Sequence, residues 1–186
     1  NGLNEKEIIA LLPGSREQEV EKMLSLMLSV RDSFKNYQFV IAGAPSLPKE
    51  FYQKFVDDDV HFVSNKTYDL LRCSKAALVT SGTATLETAL LNVPEIVCYR
   101  TSTISYEIGK RVVKNIKFIS LVNLIMDREI VKELIQKELN TENLVTELQK
   151  ILEGQKRDEM LKNYELLREK LGGKGASEHA AEIIVN

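Results

Sequence analysis

Six short apolar runs alternate with stretches of helical spacing, and this alternation constrains the fold of the chain more than any other feature. The first run is apolar on both faces, which is typical of a strand buried inside a parallel sheet. We predict strands at residues 7–12, 38–42, 60–63, 76–80, 95–100 and 117–121. Strands that alternate with helices favour an α/β fold, here a Rossmann-like, doubly wound parallel sheet of about six strands. From Leu134 onward, apolar residues keep helical spacing and predict a helical C-terminal segment.

The loops after these strands are the places to look for a site, because ligands of such sheets bind beyond the carboxyl ends of the strands. The loops are residues 13–16, 43–47, 64–67, 80–83, 100–105 and 121–127. A chain of 186 residues is long enough for one domain with a core, and the sequence has no repeat or internal linker. We therefore expect one domain with its site at one edge of the sheet.

The segment from Leu78 to Glu87 joins a buried strand to a helix through a turn of small residues. N–H groups in the first turn of a helix lack intrahelical partners, and the helix dipole places positive charge behind them. Ser81, Gly82 and Thr83 therefore predict an anion site that suits a diphosphate. Glu87 can accept hydrogen bonds from both hydroxyls of a ribose. The alternative is a carboxylate that only complements the helix dipole.

A second turn, Pro13-Gly14-Ser15-Arg16, follows the first predicted strand. Gly14 lets the backbone approach a ligand, and Arg16 can offer a planar charged fork to a phosphate. Ser15, with a glutamine three residues later, predicts a capping box. The alternative is a capped helix start with a surface arginine. The sequence contains neither the glycine fingerprint of dinucleotide sites nor a P-loop.

Composition argues against several classes of function. The net charge of -2 gives no sign of a nucleic-acid partner. His61 and His179 lie apart from any cysteine or carboxylate cluster, so we expect no metal site. Cys73 and Cys98 have apolar neighbours and are predicted to be reduced core thiols of a cytosolic protein. No arrangement typical of nucleophilic or paired-carboxylate catalysis stands out, so the candidate residues bind and position a ligand.

Several of these segments occur together in a fixed order. The chain has Leu11-Leu12-Pro13-Gly14-Ser15-Arg16 with Glu19 and Val20, then Thr80-Ser81-Gly82-Thr83-Ala84-Thr85-Leu86-Glu87, then Leu121 with Asn123, then Glu133-Leu134 with Gln136, and finally Gly175-Ala176-Ser177 with Ala180-Ala181-Glu182. In this order the segments resemble the C-terminal half of lipid-A-disaccharide synthase. The resemblance runs from residue 11 to residue 182, and the segment from Ser81 to Glu87 is its most specific part.

The resemblance implies a two-domain B-type glycosyltransferase, of which residues 1–186 are the C-terminal, UDP-sugar-binding domain. The N-terminal acceptor domain would be absent from this chain and would be its partner. The implied reaction transfers a sugar from UDP-2,3-diacylglucosamine to 2,3-diacylglucosamine 1-phosphate (lipid X), giving the lipid A disaccharide precursor and UDP. It would be inverting, without metal or cofactor, and with its base outside this chain. The isolated chain is then expected to bind UDP weakly and to turn nothing over.

The resemblance also assigns residues. The predicted substrate-binding residues are Gly14, Ser15, Arg16, Ser81, Gly82, Thr83, Glu87, Asn123, Glu133 and Gln136. Glu87 would hold the ribose, Asn123 would face the diphosphate or the sugar, and Arg16 and Asn123 would stabilise the charge on the departing UDP. The family usually has proline where this chain has Val122 and Lys132, so two loops depart from its pattern.

Two other readings stay open. One is another UDP-sugar enzyme of this fold, such as a UDP-N-acetylglucosamine 2-epimerase or the peptidoglycan-precursor glucosaminyltransferase, and the other is a non-catalytic nucleotide-binding module. The basic residues of segment 110–114 predict either a solvated helix face or a contact with anionic lipid headgroups. We expect a cytoplasmic protein, with peripheral contact at the inner face of the cytoplasmic membrane as a hypothesis. The sequence leaves self-association into a homo-oligomer undecided.

Overall fold

The computed structural model describes residues 5–57, 60–100 and 117–172. The strands in these ranges are β1 (Glu7–Leu12), β2 (Tyr37–Gly43), β3 (Val60–Ser64), β4 (Ser74–Thr80), β5 (Glu95–Tyr99) and β6 (Lys132–Ile135). The helices are α1 (Glu17–Leu28), α2 (Lys49–Gln53), α3 (Thr67–Arg72), α4 (Thr83–Leu90), α5 (Leu121–Met126), α6 (Thr141–Leu152) and α7 (Gln155–Lys170), with a 3₁₀ turn at Arg31–Ser33.

The six strands form one parallel sheet in the order β3-β2-β1-β4-β5-β6. β1 lies in its interior, where Leu11 pairs with Ile41 of β2 and with Leu78 of β4. The chain winds outward from β1 to β3 and then restarts at β4, on the other side of β1. This reversal leaves a crevice at the carboxyl ends of β1 and β4, and it confirms the predicted doubly wound sheet.

The core lies on both faces of the sheet because the side chains of a strand alternate between faces. Ile9 and Leu11 pack on one face, in the larger apolar cluster. Ile8, Ala10 and Leu12 pack on the opposite face, against α3. A strand buried on both sides must be apolar throughout, which is the physical reason for the apolar run at β1.

Helices α1, α6 and α7 cover the face that carries Ile9. The predicted stripe of α1 is buried, with Val20 and Met27 fully shielded from solvent. In the C-terminal segment, Leu148 of α6 and Tyr164 of α7 are fully buried on this same face. Each such side chain contributes about 1.5–3 kcal/mol on burial, so these stripes hold the helices against the sheet.

The sixth strand of the sheet is β6, and the prediction of a strand at residues 117–121 was wrong. Those residues lead into α5, where the hydroxyl of Ser120 accepts a hydrogen bond from the N–H of Asn123 at 3.3 Å. A short apolar run fits a strand or a helix equally well, and here the serine cap favours the helix. Leu134 and Ile135, which we assigned to the helical segment, lie in β6 instead.

The predicted capping box at Ser15 was also wrong. α1 begins after Arg16, which occupies the N-cap position, and no side chain caps this helix. The carbonyl of Ser15 instead accepts a hydrogen bond from the hydroxyl of Ser46 at 2.9 Å. The turn after β1 is therefore tied to the turn after β2 rather than to its own helix.

Both cysteines are free thiols, but only Cys98 is buried, so the expectation of a core thiol was wrong for Cys73. The predicted helices at residues 105–114 and 176–185, the basic segment 110–114 and the similar segment 175–182 lie outside the described residues. Among the described helices, none combines the length and the apolar character that crossing a bilayer requires.

Candidate functional site

A cleft of about 290 Å³ opens at the carboxyl edge of the sheet, where the strand order reverses between β1 and β4. The segments that follow β1, β2, β3 and β4 all contribute to its lining. Its floor includes Leu12 and Thr80, the last residues of β1 and β4. Four of the six predicted loops therefore meet at one cavity.

The first turn of α4 forms one wall of this cleft. Gly82, at the N-cap position of α4, has a φ of 154°, a conformation that side chains rarely adopt. A Cβ atom built at Gly82 meets no atom within 4 Å, so the space above this turn is open to a ligand. No side chain of the described residues caps the helix, and its first N–H groups remain available for an anion.

The two hydroxyls beside Gly82 differ in their availability. The Ser81 hydroxyl donates to the carbonyl of Ile119 at 3.2 Å, which ties the turn to the segment before α5. Thr83 is exposed, and its hydroxyl makes no hydrogen bond within the described part of the chain. Ser81 therefore holds the turn in place, while Thr83 is free to contact a ligand.

The opposite wall is built around Gly14, which has a φ of 106°. A Cβ atom at Gly14 would lie 2.6 Å from Oε2 of Glu19, so a side chain there would displace this carboxylate. Ser15 also lines the cleft. Arg16 lies next to the cleft but does not line it, and its exposed guanidinium makes no ion pair or hydrogen bond with a described residue.

The lining of the cleft is acidic. Glu19 and Glu87 both line it, whereas no lysine or arginine of the described residues does. Neither carboxylate forms an ion pair or a side-chain hydrogen bond within the described ranges. A neighbouring depression of about 410 Å³ shares Glu87 and Thr67 with the cleft and carries two cations, Lys66 and Arg72.

The floor of the cleft contains a hydroxyl that the sequence did not reveal. Thr80 is 6% exposed, and its Oγ1 has no hydrogen-bond partner among the described residues. A buried hydroxyl without a partner is uncommon, since it loses its hydrogen bonds to water on folding. Thr80 stands in one of the similar segments, but it was not named as a candidate residue, because threonine at the end of a buried strand is explained by strand propensity alone.

Asn123 and Glu133, two of the predicted substrate-binding residues, hydrogen-bond to each other and to the backbone around them. Asn123 is fully buried, and Glu133 is 6% exposed. The amide of Asn123 donates to the carbonyl of Val131 at 2.8 Å and to Glu133 Oε1 at 2.9 Å. Its oxygen accepts from the N–H groups of Ile130 at 2.7 Å and Val131 at 3.0 Å. All four hydrogen-bonding positions of this side chain are occupied, so it has none left for a ligand.

The carboxylate of Glu133 completes the same network. Its Oε2 accepts from the N–H of Ile119 at 2.9 Å, and its Oε1 accepts from the N–H and the hydroxyl of Ser120 at 2.9 and 2.7 Å. The network joins β6 to the start of α5, and neither side chain lines the cleft. Their positions in the sequence pattern are therefore explained by the fold.

Gln136 follows β6 in a left-handed conformation, with a φ of 52°. Its N–H donates to the carbonyl of Tyr99 at 2.9 Å, and its carbonyl accepts from the guanidinium of Arg100 at 3.2 Å. The amide nitrogen of the side chain is buried without a partner in the described ranges. It does not line the cleft, so its contact with a ligand stays a prediction.

Comparison of the sequence with protein families and curated proteins gives one consistent result. A model of the lipid-A-disaccharide synthetase family matches residues 2–185. The lipid-A-disaccharide synthase of Syntrophus aciditrophicus is 38% identical over 182 residues, which are 93% of this chain and 47% of that protein. That of Myxococcus xanthus is 35% identical over 185 residues, 95% of this chain and 48% of that protein. The chain thus spans about half the length of the curated relatives it matches.

Comparison with solved structures finds the same fold in two glycosyltransferases. The spinosyn rhamnosyltransferase SpnG superposes with a TM-score of 0.66 at 12% identity, over 98% of this chain and 46% of that one. WaaG, a glycosyltransferase involved in lipopolysaccharide biosynthesis, superposes with a TM-score of 0.59 at 18% identity, over 98% of this chain and 48% of that one. Identities this low establish the fold alone, in agreement with the predicted class.

Proposed function

The chain belongs to the lipid-A-disaccharide synthetase family, and we propose that it is the donor-binding part of a hexosyltransferase. The proposed donor is UDP-2,3-diacylglucosamine, and the proposed acceptor is 2,3-diacylglucosamine 1-phosphate. The products would be the lipid A disaccharide precursor and UDP. The part of the relatives that this chain does not match would supply the acceptor site and the catalytic base.

One observation carries the proposal: the uncapped first turn of α4 faces an open cleft at the switch point of the sheet. A diphosphate fits there because the N–H groups at the start of α4 and the helix dipole both favour an anion. Thr83 adds a hydroxyl, and the guanidinium of Arg16, which has no partner among the described residues, would turn toward the phosphates. Glu87 would accept hydrogen bonds from the two hydroxyls of the ribose.

In the proposed reaction, an acceptor hydroxyl attacks the anomeric carbon of the donor sugar. A new carbon–oxygen bond forms while the bond from that carbon to the phosphate oxygen breaks. UDP leaves with the electron pair, and the base outside this chain takes the hydroxyl proton. The N–H groups of α4 and the charge of Arg16 stabilise the negative charge that grows on the diphosphate, so the binding groups also lower the barrier.

Calorimetric titration of the chain with UDP, ADP and NAD tests the nucleotide assignment. We expect UDP to bind in preference to the other two, and to bind weakly because half of the cleft is supplied elsewhere. Arg16→Ala should weaken UDP binding by about tenfold or more, since hydrogen bonds to charged groups contribute about 1.5–3 kcal/mol. Lys22→Ala, an exposed cation on the same helix, is the matched control.

The same titration separates the remaining readings. If Arg16→Ala and Glu87→Ala both leave UDP affinity unchanged, the cleft is not the nucleotide site and a non-catalytic module is favoured. A deacylated donor that binds as well as the diacylated one would favour another UDP-sugar enzyme of this fold. We expect no disaccharide synthesis by the chain alone, and measurable turnover would overturn the division of labour proposed above.

We also propose that the whole enzyme touches the inner face of the cytoplasmic membrane, because both substrates carry acyl chains. Co-sedimentation with vesicles that contain anionic lipid tests this, with neutral vesicles as the control. Absence of binding by a longer chain that also contains the counterpart of the relatives' unmatched half would count against membrane contact.

A further inference from the structure

Of the two charged side chains among the described residues that line the cleft, Glu19 is the one that the proposed function leaves without a task. It lies in the first turn of α1, and its carboxylate reaches back over Gly14 into the cleft. Gly14 makes room for it, since a Cβ there would stand 2.6 Å from Oε2. The carboxylate has no ion pair or hydrogen bond within the described ranges, although it is partly shielded from solvent. A carboxylate in this position would be stabilised by a ligand that donates hydrogen bonds to it.

The ligand group opposite Glu19 should not be an anion. A carboxylate repels a phosphate, and no described lysine or arginine lines the cleft to screen that repulsion. The diphosphate therefore belongs at the other wall, at the start of α4. Hydroxyl and N–H groups remain as partners, because an ionised carboxylate only accepts hydrogen bonds.

A nucleoside diphosphate sugar carries hydroxyls at its two ends, on the ribose and on the sugar. The cleft and its neighbouring depression indicate where each end of the ligand would lie. Beyond Glu87 and Thr67 the cleft continues into the depression of about 410 Å³, which gives the nucleoside room on that side. Glu19 lines the cleft but not this depression. It therefore lies away from the nucleoside end.

We propose that Glu19 is a specificity-determining residue that accepts hydrogen bonds from hydroxyls of the sugar on the β-phosphate. This inference rests on the proposed function, since it takes the ligand to be a UDP-sugar. It gives the two carboxylates of the cleft separate tasks, with Glu87 on the ribose and Glu19 on the transferred sugar.

Titration of the 186-residue chain with UDP and with UDP-N-acetylglucosamine tests the assignment. Glu19→Ala should weaken binding of UDP-N-acetylglucosamine by about tenfold or more, the effect of losing a hydrogen bond to a charged group. It should leave UDP affinity unchanged or improved, because it removes a negative charge. Glu19→Gln keeps one acceptor and should lie between Glu19→Ala and the wild type for the sugar nucleotide.

Glu17→Ala is the matched control, because it removes the same charge from the same helical turn at a residue that does not line the cleft. It should change neither affinity, and melting curves of all variants verify that they are folded. Equal losses for both ligands in Glu19→Ala, or no loss for the sugar nucleotide, would overturn the role of Glu19 and leave the proposed function standing. Failure of the wild-type chain to bind either ligand would overturn both.

Discussion

Replacing Asn123 by alanine removes four hydrogen bonds from the buried connection between α5 and β6. The N–H groups of Ile130 and Val131 would lose their acceptor, and these residues are 2% and 0% exposed. Each buried donor left without a partner costs about 1–3 kcal/mol, so the two N–H groups account for about 2–6 kcal/mol. A water molecule in the space left by the amide would bring the loss toward the lower figure. Since domains are stable by about 5–15 kcal/mol, the variant should approach the limit of folding.

Urea denaturation followed by circular dichroism measures this loss, and native-state hydrogen exchange locates it at the amides of Ile130 and Val131. Asn143→Ala is the control, because its side chain makes one exposed hydrogen bond, to the carbonyl of Glu138 at 2.8 Å. We expect it to cost no more than about 1 kcal/mol. The reasoning is refuted if Asn123→Ala costs no more than the control and both amides stay protected. A folded Asn123→Ala chain that loses only UDP affinity would restore the ligand role predicted from the sequence.

Asn123→Asp tests the contact between Asn123 and Glu133 through the pH dependence of stability. The aspartate keeps an acceptor for the two N–H groups, but it places an oxygen against Glu133 Oε1, where the amide nitrogen stood at 2.9 Å. The neighbouring carboxylate and burial should raise the pKa of the new carboxyl, so its protonated form can donate to Glu133 at low pH. Relative to the wild type, this variant should therefore lose stability as the pH rises through that pKa. A loss that does not change with pH would argue against the contact with Glu133.

Three further predictions follow from single features. Burial raises the pKa of the Glu95 carboxyl well above 4.5, and neither of its oxygens has a partner among the described residues. The contribution of Glu95 to stability is therefore full below its unfolded-state pKa and is lost as the pH rises through its folded-state pKa. Glu95→Gln should flatten this decline in urea unfolding measured over a pH series, and an equally steep decline in the variant would contradict the prediction. Thr80→Val removes the buried hydroxyl without a partner and should raise the free energy of unfolding by about 1 kcal/mol, whereas a fall would mean that the hydroxyl is satisfied. Gly14→Ala forces a side chain into a φ of 106° and against Glu19, so we expect a loss of about 1–3 kcal/mol in thermal or urea unfolding, and an unchanged midpoint would argue against this geometry.

Much of the fold could be predicted because its signals are local. The run at β1 is apolar on both faces, and the apolar side chains of α1 repeat at helical spacing. The sequence of each element therefore predicts which of its side chains are buried. The sixth strand could not be found this way, since β6 has only four residues and one of them is the buried Glu133. Its place in the sheet depends on pairing with β5, which lies far away in the chain.

In the candidate site too, the features that depend on local sequence could be predicted and those that depend on packing could not. The turn at Ser81, Gly82 and Thr83 was predicted from the sequence, because small residues between a strand and a helix leave N–H groups exposed wherever they occur. The burial of Asn123 and the position of Glu19 in the cleft could not be predicted, since both are polar residues in segments that resemble the family. Burial commits Asn123 to the backbone around it, and the missing side chain of Gly14 lets the carboxylate of Glu19 enter the cleft.

The alternation of strands and helices, the small-residue turns and the family can all be read from the sequence. Those features depend on neighbours within a few positions, where periodicity and backbone conformation decide the outcome. Which turns meet depends on how the strands pair in three dimensions. The reversal of strand order brings the segments after β1 and β4 to one edge, because β1 pairs directly with β4 although β2 and β3 lie between them in the chain. That packing, and not residue type, decides which polar side chains reach the cleft and which are buried in internal hydrogen bonds.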